Sequence, residues 1–212
     1  RFDPPTTGGL RGFKGSMYEG GLRVPSVIEW PAGIQKSRIT HYPAGSVDIF
    51  PTLAKVSGLK KSTMLLPQDG QSLTKLFSKE IGKRKKPLPF RSRGRVVIVD
   101  NDYKMLSIPS GGNLKYELYN LKKDPAEQNN IVKEKLKIAK RLKKQLMSTD
   151  ASITASVNGQ DYPEKKVNEQ PSRIFWWERE SYRPYFPEWI KRPEYSARLK
   201  RFLNTQQKKK QP

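Results

Sequence analysis

The sequence predicts an α/β fold that carries a small antiparallel sheet packed by a long amphipathic helix, and three observations point to it. Residues 8–25, GGLRGFKGSMYEGGLRVP, form a glycine-rich loop that runs into the apolar stretch Arg23-Val24-Pro25-Ser26-Val27-Ile28-Glu29-Trp30-Pro31. Residues 95–109, RVVIVDNDYKMLSIP, set two apolar strands around Asp100-Asn101-Asp102. Val132, Leu136, Ala139, Leu142 and Leu146 recur at spacings of four and three, the stripe expected of a helix lying on a sheet.

In chain order, the loop comes first. Gly8, Gly9, Gly12, Gly15, Gly20 and Gly21 surround Lys14, allowing backbone conformations and close approaches that side chains would block, while Lys14 brings a compact charge with three donors. The combination suits an anion; the plain alternative is a surface lysine on a flexible loop. Residues 23–31, bounded by prolines, read as a short buried strand that anchors the loop. Residues 46–58, SVDIFPTLAKVSG, read as a helix with Ser46 as N-cap and Gly58 as its stop, and Pro51 within it implies a kink or a late start. Residues 60–90 form a basic, proline-punctuated connection with a short helix near Ser72–Phe77.

The small sheet is expected over 91–121, with a third strand at Tyr116–Leu121 after the turn Ser110-Gly111-Gly112-Asn113. Asp124-Pro125-Ala126-Glu127 reads as the start of the covering helix: N-cap, proline at the first helical position, acid two residues later. Lys133, Lys137, Lys140 and Lys144 repeat on another face, which a solvated helix surface explains. Beyond 150 the chain is polar and then aromatic, with Phe175, Trp176, Trp177, Tyr182, Tyr185, Phe186, Trp189 and Tyr195 close together. That density argues against simple disorder, and packing across the protein body is preferred to sugar stacking. Three regions follow: 1–90, with the glycine loop, the short strand and the first helices; 91–150, the sheet and helix; 151–212, an aromatic-rich basic extension.

The chain of 212 residues carries 42 Lys+Arg against 20 Asp+Glu, a formal charge of +22, with a hydrophobic fraction of 34%. That apolar share is low for a self-sufficient domain, so the chain is expected to fold against further structure. The basic clusters Lys83-Arg84-Lys85-Lys86, Arg91-Arg93-Arg95, Lys133 to Lys144 and Lys208-Lys209-Lys210 read singly as solvated surface, while their summed field would draw polyanions. Nucleic acid is a disfavoured partner, because no aromatic RNA-binding signature or zinc-finger spacing accompanies the charge. With no cysteine, disulfides and thiolate metal sites are excluded here. No stretch approaches the ~20 apolar residues of a membrane span.

Five stretches together resemble the C-terminal part of a sulfatase of the alkaline-phosphatase-like superfamily, in the family's order. They are Lys14-Gly15-Ser16-Met17-Tyr18-Glu19-Gly20-Gly21-Leu22-Arg23-Val24-Pro25, Trp30-Pro31-Ala32-Gly33, residues 46–58, residues 69–76 (DGQSLTKL) and residues 117–130 (ELYNLKKDPAEQNN). Asn120 stands where the family usually has Asp. The likeness covers about residues 8–150 and implies an arylsulfatase-like α/β fold, with residues 1–90 the end of its main domain.

The resemblance implies a sulfuric ester hydrolase whose nucleophile is a formylglycine made from Cys or Ser in a C/S-x-P-x-R motif. No such motif occurs here, nor do the family's paired aspartates, sulfate-pocket histidines and Asp-Asn metal ligands. By the resemblance this chain is a fragment, inactive alone, whose partner is the missing N-terminal part. The divalent metal, Ca2+, would be bound by ligands upstream of Arg1. Lys14 matches the family's sulfate-binding lysine and is the one catalytic position carried over; Glu19 and Arg23 are expected to shape the turn. The substrate would be a sulfated carbohydrate, possibly polymeric, or an aryl sulfate, and the location periplasmic or secreted. Two alternatives stay open: a non-catalytic polyanion- or nucleic-acid-binding module, and a phosphodiesterase or phosphonate hydrolase of the same superfamily. His41, the sole histidine, matches no catalytic position and reads as a surface residue, and Asp48 and Asp69 read as structural.

Overall fold

The computed structural model describes residues 7–64, 66–167 and 175–209. It divides into two compact units, Arg1–Lys166 and Val167–Pro212. In the first, the short helix α1 (Glu19–Leu22) closes the glycine loop and α2 (Ile49–Val56) follows a 3-10 turn at Ser46–Asp48. Then come β1 (Leu88–Ser92), β2 (Arg95–Asp100), β3 (Tyr103–Ser110), β4 (Asn113–Asn120) and the long helix α3 (Leu136–Val157). The four strands form one antiparallel sheet in sequence order.

Local turn chemistry dictates that order. Ser92 pairs with Arg95 and Ser110 with Asn113, leaving two-residue loops, Arg93-Gly94 and Gly111-Gly112, in which both residues have positive φ. Such loops twist with the strands they join. Between β2 and β3, where Asp100 pairs with Tyr103, Asn101 takes φ 55, a conformation asparagine tolerates. The proline-punctuated connection expected over 60–90 instead ends in β1, whose second residue is Pro89; at the sheet edge a missing N–H costs little.

Both faces of the sheet are buried. Val96, Ile98, Met105 and Leu118 pack with Ala139, Leu142 and Leu146 of α3, while Val97, Val99, Leu106 and Tyr119 pack with Met17 of the glycine loop and with Leu88. The uninterrupted VVIV run in β2 follows, since alternating residues point to opposite faces and each has a cover. Ala139, Leu142 and Leu146 of the stripe lie on the sheet as expected, but Leu136 is 69% exposed, Val132 precedes the helix, and α3 begins at Leu136 rather than at Asp124. Asp124 instead accepts the N–H groups of Gln128 and Asn129 at 3.0 and 2.8 Å, and Glu127 has φ 54, which no helix accommodates. Lys133 thus precedes the helix, while Lys137, Lys140 and Lys144 lie exposed along it. The boundary drawn at 150 falls inside α3, which runs to Val157.

The predicted buried strand at 23–31 does not form: the segment has no sheet partner among the described residues, and Val27 is 91% exposed. Helix α2 starts late, with Pro51 in its first turn where no N–H is needed. It stops at Gly58 (φ 73), with Leu59 N–H bonded to the Ala54 carbonyl at 2.9 Å and Gly58 N–H to that of Lys55 at 3.3 Å. The short helix near Ser72–Phe77 is a 3-10 turn, Thr74–Phe77.

The second unit comprises 3-10 turns, α4 (Phe186–Trp189) and α5 (Pro193–Lys209). Trp176 is its hub, edge-on to Trp177, Trp189 and Tyr195 at 5.4 Å between centroids. Arg198 lies over Trp177 at 4.6 Å, and Phe186 and Leu199 are buried. The aromatic rings pack on one another within this unit, where the sequence led to an expectation of packing across the protein body.

Candidate functional site

Lys14 occupies the tip of a tight turn. Ser16 N–H donates to the Phe13 carbonyl at 2.8 Å, and Gly15 at the third position takes φ 91, as a type II turn requires. The turn sits inside a closed loop, because Gly20 N–H donates to the Arg11 carbonyl at 2.8 Å. Gly20 and Gly21 permit that closure by close approach: a Cβ would lie 2.4 Å from the Gly12 oxygen at the first and 2.2 Å from the Ser16 oxygen at the second. Lys14 is exposed and has no ion-pair partner among the described residues.

The loop is fastened to the sheet on both sides of that turn. Before it, the Arg11 guanidinium lies 3.8 Å over the Tyr18 ring and donates to Tyr119 Oη and the Glu127 carbonyl, each at 2.9 Å. After it, Tyr18 Oη donates to Glu117 Oε2 at 2.8 Å, which also accepts from Tyr119 at 2.8 Å. Burial would push the Glu117 carboxyl up, but hydrogen bonds from Lys115, Tyr119 and Tyr18 prevail and hold it below the usual range. Burial and the adjacent Glu117 push the Tyr18 phenol up to about 12, and Tyr119 is raised for the same reasons.

Beneath the loop is a buried ion cluster. Lys104 Nζ lies 3.0 Å from Glu19 Oε1 and 2.9 Å from Glu127 Oε1, and Glu127 Oε2 accepts the Glu19 N–H at 2.5 Å. Lys104 and Glu127 are fully buried and Glu19 is 7% exposed. The contact to Glu127 Oε1 is an ion pair without hydrogen-bond alignment. Burial raises the Glu127 carboxyl above its ordinary value against the pull of the Lys104 charge and the Glu19 N–H, as the neighbouring Glu19 charge also does.

Of the residues singled out from sequence, Glu19 is drawn into the buried cluster through both its carboxylate and its N–H, and Arg23 N–H bonds the Glu19 carbonyl at 2.8 Å while its side chain is exposed. His41 lies exposed in a loop. Asp48 is structural: fully buried, it forms a bidentate pair with Arg84 at 2.8 Å and accepts the N–H groups of Gly45 and Gln71 at 3.0 and 2.8 Å. Arg84 therefore does not belong to the basic surface to which its cluster was assigned, and Arg91 is paired with Asp150 at 3.2 Å. Lys104 and Glu127 went unrecognised. The available signal was a lysine inside the apolar run of β3, paired across the strands with Val99 and Tyr119.

No group of three or more His, Cys, Asp or Glu among the described residues could hold a metal ion. Nor is any helix of the described residues long and apolar enough to cross a membrane.

The family of the C-terminal region of N-sulphoglucosamine sulphohydrolase matches residues 12–152. An N-acetylgalactosamine-6-O-sulfatase of Bacteroides thetaiotaomicron is 26% identical over 150 residues, covering 65% of this chain and 29% of that protein. Human arylsulfatase A is 30% identical over 183 residues, covering 70% of this chain and 35% of its own. The chain thus spans about a third of the length of these relatives. The solved structure of Ps i-CgsB superposes with a TM-score of 0.52 at 20% identity, over 90% of this chain and 38% of that one, a likeness of fold.

Proposed function

Because the chain belongs to the sulfatase family through the region typified by N-sulphoglucosamine sulphohydrolase, we propose that it is the C-terminal part of a sulfuric ester hydrolase in which Lys14 binds the sulfate group. The observation that carries this reading is the Lys14 turn itself. A primary ammonium stands at the tip of a loop fastened on both sides, with no carboxylate paired to it among the described residues. An unneutralised cation on a preorganised loop is what stabilises charge developing on ester oxygens. Lys14 would hold the sulfate and draw negative charge onto the oxygens it contacts.

Nucleophile and metal belong, in this reading, to residues outside the described chain, a formylglycine and Ca2+. The metal would supply Lewis-acid activation, and the residues here do not form its site. Two relatives carry sulfated-sugar and aryl-sulfate names, and they support a substrate class of sulfated carbohydrate or aryl sulfate. The test is Lys14→Ala in the complete protein. Turnover of an aryl sulfate should fall about 10²–10³-fold, while the thermal midpoint stays close to that of the parent because the side chain is exposed. Unchanged turnover would return Lys14 to an ordinary surface lysine.

A further inference from the structure

Glu127 holds both ends of the Lys14 loop. Its carbonyl accepts from the Arg11 guanidinium at 2.9 Å and its Oε2 accepts the Glu19 N–H at 2.5 Å. Arg11 and Gly20 are the hydrogen-bonded ends of that loop, so one residue ties down the frame within which Lys14 stands. It does so in a left-handed conformation, φ 54, which a non-glycine keeps only when its surroundings over-determine it. Those surroundings are Lys104, fully buried and 2.9 Å from Oε1, and Glu19, which Lys104 also contacts at 3.0 Å.

Resting on the reading of Lys14 as the sulfate ligand, we propose that Glu127, with Lys104 as its counter-ion, is the positioning residue for Lys14. Its carboxylate clamps the loop at Glu19 while its carbonyl clamps it at Arg11, and the Lys104 charge lies 2.9 Å from the other carboxylate oxygen. Each contact is made by a group that would not itself touch the ester. A small displacement of a fixed charge lowers transition-state stabilisation more than ground-state binding, so the effect belongs in kcat.

The experiment compares Glu127→Ala, Glu127→Gln and Lys14→Ala in the complete protein, with aryl sulfate kinetics and amide hydrogen exchange. Glu127→Ala leaves Lys104 paired with Glu19, so the sheet is expected to stay folded. Exchange should quicken at residues 12–21 and not in β2 and β3, and kcat should fall about tenfold with KM changed less than about twofold. Glu127→Gln keeps an oxygen that can accept the Glu19 N–H and should restore loop protection and most of kcat.

If Glu127→Ala loosens the loop while kcat holds and Lys14→Ala is impaired, the positioning role is overturned. If Lys14→Ala is itself unimpaired, the reading of the sulfate site falls instead. Should Glu127→Ala fail to fold, the glutamine variant decides: a protected loop with a tenfold loss of kcat overturns the clamp, and a protected loop with near-parental kcat supports it.

Discussion

The sheet with its helix and the segment from Val24 to Val56 contain apolar residues of the same kinds, yet one encloses them and the other leaves most of its large ones exposed. In β2 to β4, Val97, Ile98, Met105 and Leu118 are wholly enclosed. In the other region Val27 is 91%, Ile39 86% and Leu53 58% exposed. The sheet finds its neighbours through two-residue turns and a helix close in sequence, whereas residues 23–31 have no described strand to pair with. Apolar composition states a need for cover; only a partner at the right distance supplies it.

The exposed region is nonetheless pinned at Asp48 by a buried ion pair, and the largest predicted effect tests this. Asp48→Ala leaves Arg84 fully buried without its counter-charge, and should destabilise the first unit by about 3–5 kcal/mol in denaturant unfolding. A loss under about 1 kcal/mol would mean that the α2 region does not unfold together with the sheet. Next in size, Leu118→Ala removes a fully enclosed side chain beneath α3 and should cost about 2–5 kcal/mol. Val27→Ala, by contrast, should stay within about 0.5 kcal/mol. Similar losses at both positions would show Val27 to be covered in solution and would erase the contrast.

The smallest effect concerns alkaline pH at the seam between loop and sheet. Tyr18 donates to Glu117 as the neutral phenol, and its value is raised from 10.0 to about 12. A folded-state value above the unfolded one gives stability that is complete below about pH 10 and lost as pH rises toward about 12. The thermal midpoint should decline across that window, and Tyr18→Phe should flatten part of the decline; Tyr119, raised as well, accounts for the rest. An identical decline in Tyr18→Phe would place the alkaline sensitivity elsewhere.

Elements built from neighbours in the chain were legible beforehand. The turn at Gly111-Gly112, the stop at Gly58 and the stripe of Ala139, Leu142 and Leu146 each follow from local backbone or helical geometry. Lys14 could be singled out because its glycines mark the loop that carries it. The start of α3 was misread because Asp124-Pro125-Ala126-Glu127 satisfies a helix-start pattern while Glu127 is drawn into the ion cluster instead. Nothing in those four residues announces Lys104.

By itself, then, the sequence determined the β2–β3 and β3–β4 hairpins, the packed face of α3 and the position of a lysine in a glycine loop, because each rests on dihedral preferences and periodicities within a few residues. Tertiary structure alone decided that Arg84 and Lys104 are buried and that Glu127 grips the Lys14 loop. Their partners lie far along the chain, with Lys104 and Glu19 85 residues apart. A charge in a sequence reads as surface until folding brings its counter-charge within about 4 Å, where pairing offsets part of the cost of leaving water.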